Sequence, residues 1–182
     1  METITYDLKN YQKRLSRGFT LIELLVYIGV LAVIMLVLTN TVIALNRGWG
    51  RVVAQSEVNA NMRVALDKIG KDIKSASAVV TPASAGASAS SLSLTIGSDT
   101  VTYCITSGQL RREPTGSCTA SSPVVTASSI TMTSATFVRL ENTNTTLSKT
   151  IYSIQMTLNA QYAGTSPDRQ YSSTKQTTID LP

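Results

Sequence analysis

The chain has 182 residues, 16 basic and 11 acidic, a net charge of +5, two cysteines and no histidine. Without histidine there is no Ser-His or Cys-His catalytic pair, and two cysteines alone argue against a zinc site of ordinary composition. Much of the positive excess sits at the start. Met1–Gly18 holds four basic and two acidic residues, leaving 12 basic and 9 acidic beyond it. A nucleic-acid footprint needs Lys and Arg clustered on a folded face. Arg111-Arg112 is the one candidate cluster, and it reads as a solvated strand end.

Lys9, Lys13, Arg14 and Arg17 precede Gly18, and the run Gly18-Phe19-Thr20-Leu21-Ile22-Glu23 leads into apolar Leu24–Leu38. After Glu23 no charge appears until Arg47. A secretory signal ends in a small-residue cleavage site after its apolar stretch. Here the small residue comes first, so cutting beside it leaves the apolar stretch on the mature chain. The basic residues hold the leader on the cytoplasmic side by the positive-inside rule. Phe19–Leu45, interrupted only weakly at Thr39, Asn40 and Thr41, is long enough to cross a bilayer as a helix. Asn46-Arg47-Gly48-Trp49-Gly50-Arg51 marks the exit. Trp49 suits the interface, the arginines can snorkel to headgroups, and the two glycines loosen the helix.

Helical periodicity then resumes. Val58, Met62, Ala65, Leu66, Ile69 and Ile73 fall on one face, opposite Arg63, Asp67, Lys68, Lys71 and Asp72. That charged face reads as solvated, with three i,i+4 pairs (Arg63 with Asp67, Asp67 with Lys71, Lys68 with Asp72) worth a few tenths of a kcal/mol each. Thr81–Ser91, rich in Ser and Ala, reads as a flexible connection.

Beyond it the period changes to two. Strands are predicted at Leu92–Ile96, Thr100–Thr106, Gln109–Glu113, Ile130–Met132, Thr136–Glu141, Thr150–Leu158 and Tyr171–Leu181. Gly97-Ser98-Asp99 and Asn142–Ser148 read as turns, Ser107-Gly108 as a two-residue hairpin, and Gly164–Arg169 as a loop. The predicted fold class is α+β: a long N-terminal helix, its first half transmembrane, packed by its second half on a mostly antiparallel β-sheet. The expected division is 1–18 leader, 19–45 transmembrane and assembly helix, 46–78 amphipathic half, 79–91 linker and 92–182 β-rich head. No cofactor is expected. Asp99 and Asp168 lack the repeated acidic ligands of a calcium loop.

The G-F-T-L-I-E junction and the apolar run after it resemble the class III signal of type IV prepilins and type II secretion pseudopilins. The resemblance implies cleavage between Gly18 and Phe19 by prepilin peptidase, N-methylation of Phe19, and an assembly role for Glu23. In that family the acid is proposed to pair with the N-terminal ammonium of a neighbouring subunit. The implied partners are prepilin peptidase, other pilin or pseudopilin subunits, an inner-membrane assembly platform and, before assembly, membrane lipid. A carboxylate among apolar residues needs such a cation or a proton.

The segments NMRVALDKIGKDIKSAS and TVTYCITSGQLRRE resemble the W-type minor pilins and J-type pseudopilins. The central position of the cysteines departs from the C-terminal pair of many major pilins. Glu23 speaks against the K-type tip pseudopilin, which lacks that acid. The expected function is a structural minor pilin or pseudopilin of a pilus or secretion filament, not an enzyme. The alternatives are a DNA-uptake pseudopilin, the only reading that brings in nucleic acid, and a membrane-anchored adhesin. The expected location is the cytoplasmic membrane, single-pass, with the head outside the cytoplasm. There a Cys104–Cys118 disulfide is expected, and two reduced thiols with Cys104 buried on a strand are the alternative.

Overall fold

A computed structural model describes residues 18–146 and 149–182. The predicted leader, apart from Gly18, and the end of the predicted Asn142–Ser148 turn lie outside the described residues. The described residues fall into two units, 18–45 and Asn46–Pro182.

Helix α1 runs Leu21–Ser75. Up to Leu45 every described residue is exposed. From Asn46 on, Gly50, Ala54, Val58, Met62, Ala65, Ile69 and Ile73 form a buried stripe. Their spacing of three or four residues keeps one face of a 3.6-residue helix inward. The stripe is the predicted one, extended by about two turns at its start through Ala54 and Gly50. Leu66 is only partly buried at its margin.

Eight strands follow: β1 Ala78–Thr81, β2 Ser88–Ala89, β3 Leu92–Ile96, β4 Asp99–Thr106, β5 Gln109–Glu113, β6 Ile130–Asn144, β7 Lys149–Tyr162 and β8 Ser172–Asp180. Their pairings are antiparallel. The layout is α+β, but the strands form two four-stranded sheets, β1-β3-β4-β5 and β2-β6-β7-β8. The helix stripe shares one core with Leu92 and Leu94 of β3, Tyr103 of β4, Leu110 of β5, Phe137 of β6 and Ile154, Met156 and Leu158 of β7. Burying each such side chain stabilises by about 1.5–3 kcal/mol relative to exposure.

The β4–β5 hairpin closes as the dipeptide predicts. Ser107 and Gly108 both have positive φ, 55° and 70°, the backbone that a type I′ turn demands. The two strands predicted at 130–132 and 136–141 are one. Met132 pairs with Ala160 and Ser134 with Asn159, leaving Thr133 as a bulge. The extra residue switches parity: Ile130 and Met132 face inward before it, Ala135 and Phe137 after it. That switch is why local alternation breaks at Thr133. Asn159 fastens the bulge, donating from Nδ2 to Ser134 Oγ at 2.6 Å.

The segment read as a flexible connection is paired instead. β1 lies against β3 and β2 against β6. The Gly86 N–H donates to Arg139 O at 2.8 Å, and the Arg139 N–H donates to Ala87 O at 3.1 Å. Arg139 also reaches Ala83 O with Nη1 at 3.0 Å. Order there comes from β6, some fifty residues away, so Ser/Ala composition could not reveal it.

Candidate assembly site and head-to-helix clamp

Gly18, Phe19 and Thr20 precede the helix and are exposed, Phe19 to 78 %. Thr20 caps α1. Its Oγ1 accepts the Glu23 N–H at 3.3 Å, and its carbonyl accepts the Leu24 N–H at 3.2 Å. This places Thr20 at the N-cap and Glu23 at the third helical position, the T-x-x-E spacing of a capping box. The Thr20 cap was missed in the sequence, although that spacing signals it. Glu23 lies in the first turn, where the helix dipole favours negative charge. Among the described residues no side chain pairs with its carboxylate. The helix that follows is long and apolar enough to cross a membrane, and its apolar stretch has no buried residue. An acid next to an apolar surface of that kind is costly unless something outside the monomer covers both.

The second half of α1 is clamped to the head by polar contacts. Asp72 Oδ2 accepts from Tyr103 Oη at 2.6 Å and from Arg112 Nε at 2.7 Å. Asp72 and Arg112 are therefore not a solvated helix face and a solvated strand end. They are a half-buried ion pair, 13 % and 24 % exposed, joining α1 to β5. Arg111 is likewise engaged, donating from Nη1 to Ser122 O at 2.7 Å. None of the three predicted i,i+4 pairs forms among the described residues, since Asp72 turns to the sheet and the others stay apart in solvent.

Further up the helix, Asn61 Oδ1 accepts the Ala127 N–H at 2.8 Å and Ser129 Oγ donates to Glu57. These links were missed because each joins residues more than sixty apart.

The connection between β5 and β6 wraps the β5 edge. The Arg112 N–H donates to Pro123 O at 2.9 Å and the Val125 N–H to Leu110 O at 2.8 Å. Ser122 Oγ donates to Glu113 Oε2 at 2.7 Å. A disulfide joins Cys104 of β4 to Cys118 of this connection, with Cα atoms 6.0 Å apart. The unpaired groups of an edge strand are thereby covered.

Burial in the core, followed by the hydrogen bond to Asp72, pushes the Tyr103 phenol well above its ordinary value. The hydrogen bond to Asp72 raises the Arg112 guanidinium too. A tyrosine whose folded value is raised keeps its proton longer in the folded state. Its contribution is present in full below the unfolded value near pH 10 and is lost as pH rises beyond it. Stability should therefore fall above about pH 10, with a limiting slope of about 1.4 kcal/mol per pH unit for one proton. Tyr103→Phe should flatten that fall relative to the parent. Denaturant midpoints measured between pH 8 and about pH 11 check this, and parallel curves for the two proteins would contradict it.

No three Cys, Asp or Glu side chains gather as a metal site among the described residues. Asp99 stands exposed at the start of β4, and Asp168 lies 3.9 Å from Arg47.

A family model described as the prokaryotic N-terminal methylation motif matches residues 13–39. The chain thus carries the class III signal typical of type IV pilins and pseudopilins. The match spans the predicted cleavage junction, Glu23 and the apolar start of α1. No curated protein and no solved structure matches the chain.

Proposed function

We propose that this protein is a structural minor pilin or pseudopilin. Prepilin peptidase cuts it between Gly18 and Phe19 and methylates Phe19. It is stored in the cytoplasmic membrane by its apolar helix, head outward, and is then drawn into a filament with related subunits at an inner-membrane platform. The observation that carries the reading is the methylation motif running into a helix whose first 25 residues, Leu21–Leu45, are all exposed. Such a surface is satisfied first by lipid and then by the helices of other subunits.

Glu23 gives that second step its register. A buried charge rewards only the docking that supplies its partner. The test compares sheared filament fractions from cells with and without active prepilin peptidase. The chain should enter the filament fraction only with the peptidase. Equal recovery without it would contradict the proposal.

A further inference from the structure

We propose that Arg47, Arg51 and Arg169 form a binding site for the phosphate of an anionic phospholipid headgroup, with Trp49 anchoring the same level of the helix. The inference rests on the reading of Leu21–Leu45 as membrane-spanning. Arg47 stands two residues beyond Leu45, the last apolar residue of that run.

Arg47, Gly50 and Arg51 occupy one helix face at i, i+3 and i+4. Gly50 is buried by the turn Pro167–Arg169. A Cβ at Gly50 would stand 3.1 Å from Arg169 Cγ and 3.5 Å from its Nε. The missing side chain thus lets a third guanidinium lie across the face that carries the other two. Among the described residues, the one acid that pairs with any of them is Asp168. Asp168 Oδ2 is 3.9 Å from Arg47 Nε, and the two side chains are 48 % and 67 % exposed, a loose solvated pair. The cluster keeps a net positive charge.

Three exposed guanidinium groups suit a phosphate, because their planar donors match its oxygens and are weakly hydrated. The location selects the source of that phosphate. The arginines follow directly on the apolar run, and Trp49, 69 % exposed, belongs at headgroup depth. The head's 3-10 turn completes the site, so binding would draw on a residue of the head as well as on the helix.

Trp49 is the only tryptophan and so reports the site. The full chain is reconstituted in equimolar phosphatidylcholine and phosphatidylglycerol, with one or the other lipid brominated. Brominated phosphatidylglycerol should quench Trp49 more strongly. Each arginine near an anionic surface is worth about a fivefold enrichment. Arg169→Gln, Arg47→Gln and Arg51→Gln should therefore each reduce the preference by about fivefold. Gly50→Leu, which keeps every charge but displaces Arg169, should act like Arg169→Gln, and Arg169→Lys, which keeps the charge without the planar donors, should retain only part of the preference.

Equal quenching by the two lipids in the parent protein would overturn the proposal. So would an Arg169→Gln variant with undiminished preference, since charge at the helix end alone would then suffice. Loss of the preference on adding free glycerol phosphate would show a soluble phosphate site and overturn the lipid assignment. So would lipid preference unchanged in all three Gln variants alongside lost self-association, which would make the cluster an interface with a second copy of the chain. Failure of the chain to float with vesicles of either composition would overturn the membrane reading as well. Flotation without lipid preference overturns this site alone.

Discussion

Glu23→Gln is expected to leave leader removal and membrane insertion intact while sharply reducing entry into filaments. Gln keeps the shape of the side chain but not its charge. The backbone capping contact uses the N–H of residue 23 and Thr20 Oγ1, so the start of the helix survives the change. On the proposed role of Glu23, the change removes the partner of a neighbour's N-terminal ammonium, which would be left buried without compensation. Removing one member of a buried pair costs about 3–5 kcal/mol, roughly a 10²–10⁴-fold loss of docking. Glu23→Ala should act alike, and Glu23→Lys more severely by adding a second cation. The ratio of sheared-filament to membrane pools, normalised to the most abundant pilin, measures the effect. An unchanged ratio for Glu23→Gln would show that the acid is not needed for docking.

Breaking the Cys104–Cys118 bridge is the second large effect. The bridge closes a loop of sequence separation 14. For a loop of that size the chain-entropy model gives about 3 kcal/mol. The reduced connection would still hold β5 through Pro123, Val125 and the Arg111–Ser122 contact, so the loss should appear as reduced stability of a folded head rather than as unfolding. Cys104→Ser with Cys118→Ser should lower the thermal midpoint of the full chain in detergent by roughly 10 °C for a domain of this size. A midpoint that moves neither in the double variant nor with reductant would contradict a structural role for the bridge.

The methylation motif was legible because it is local. A small residue, an acid and an apolar run in that order carry their meaning within two dozen positions. The second half of α1 was nearly as plain, since Val58, Met62, Ala65, Ile69 and Ile73 repeat with the helix period. So was the β4–β5 hairpin, where Ser107-Gly108 suits two consecutive positive φ values.

What stayed hidden depends on residues distant in sequence. Asp72 looked like one more charge on a solvated face until β4 and β5 brought Tyr103 and Arg112 to it, 31 and 40 residues on. β2 is two residues, an exposed Ser88 and a partly buried Ala89, ordered by pairing with β6. Gly50 read as a loosening of the helix. Its role is instead to admit Arg169, a contact no local pattern encodes.

The N-terminus of the mature chain is where processing by prepilin peptidase is read most directly. Mass analysis of the protein from cells with active prepilin peptidase should find a first residue that is N-methylated Phe19, with Met1–Gly18 gone. A mature chain that retains Met1, or that begins beyond the apolar run, would contradict it.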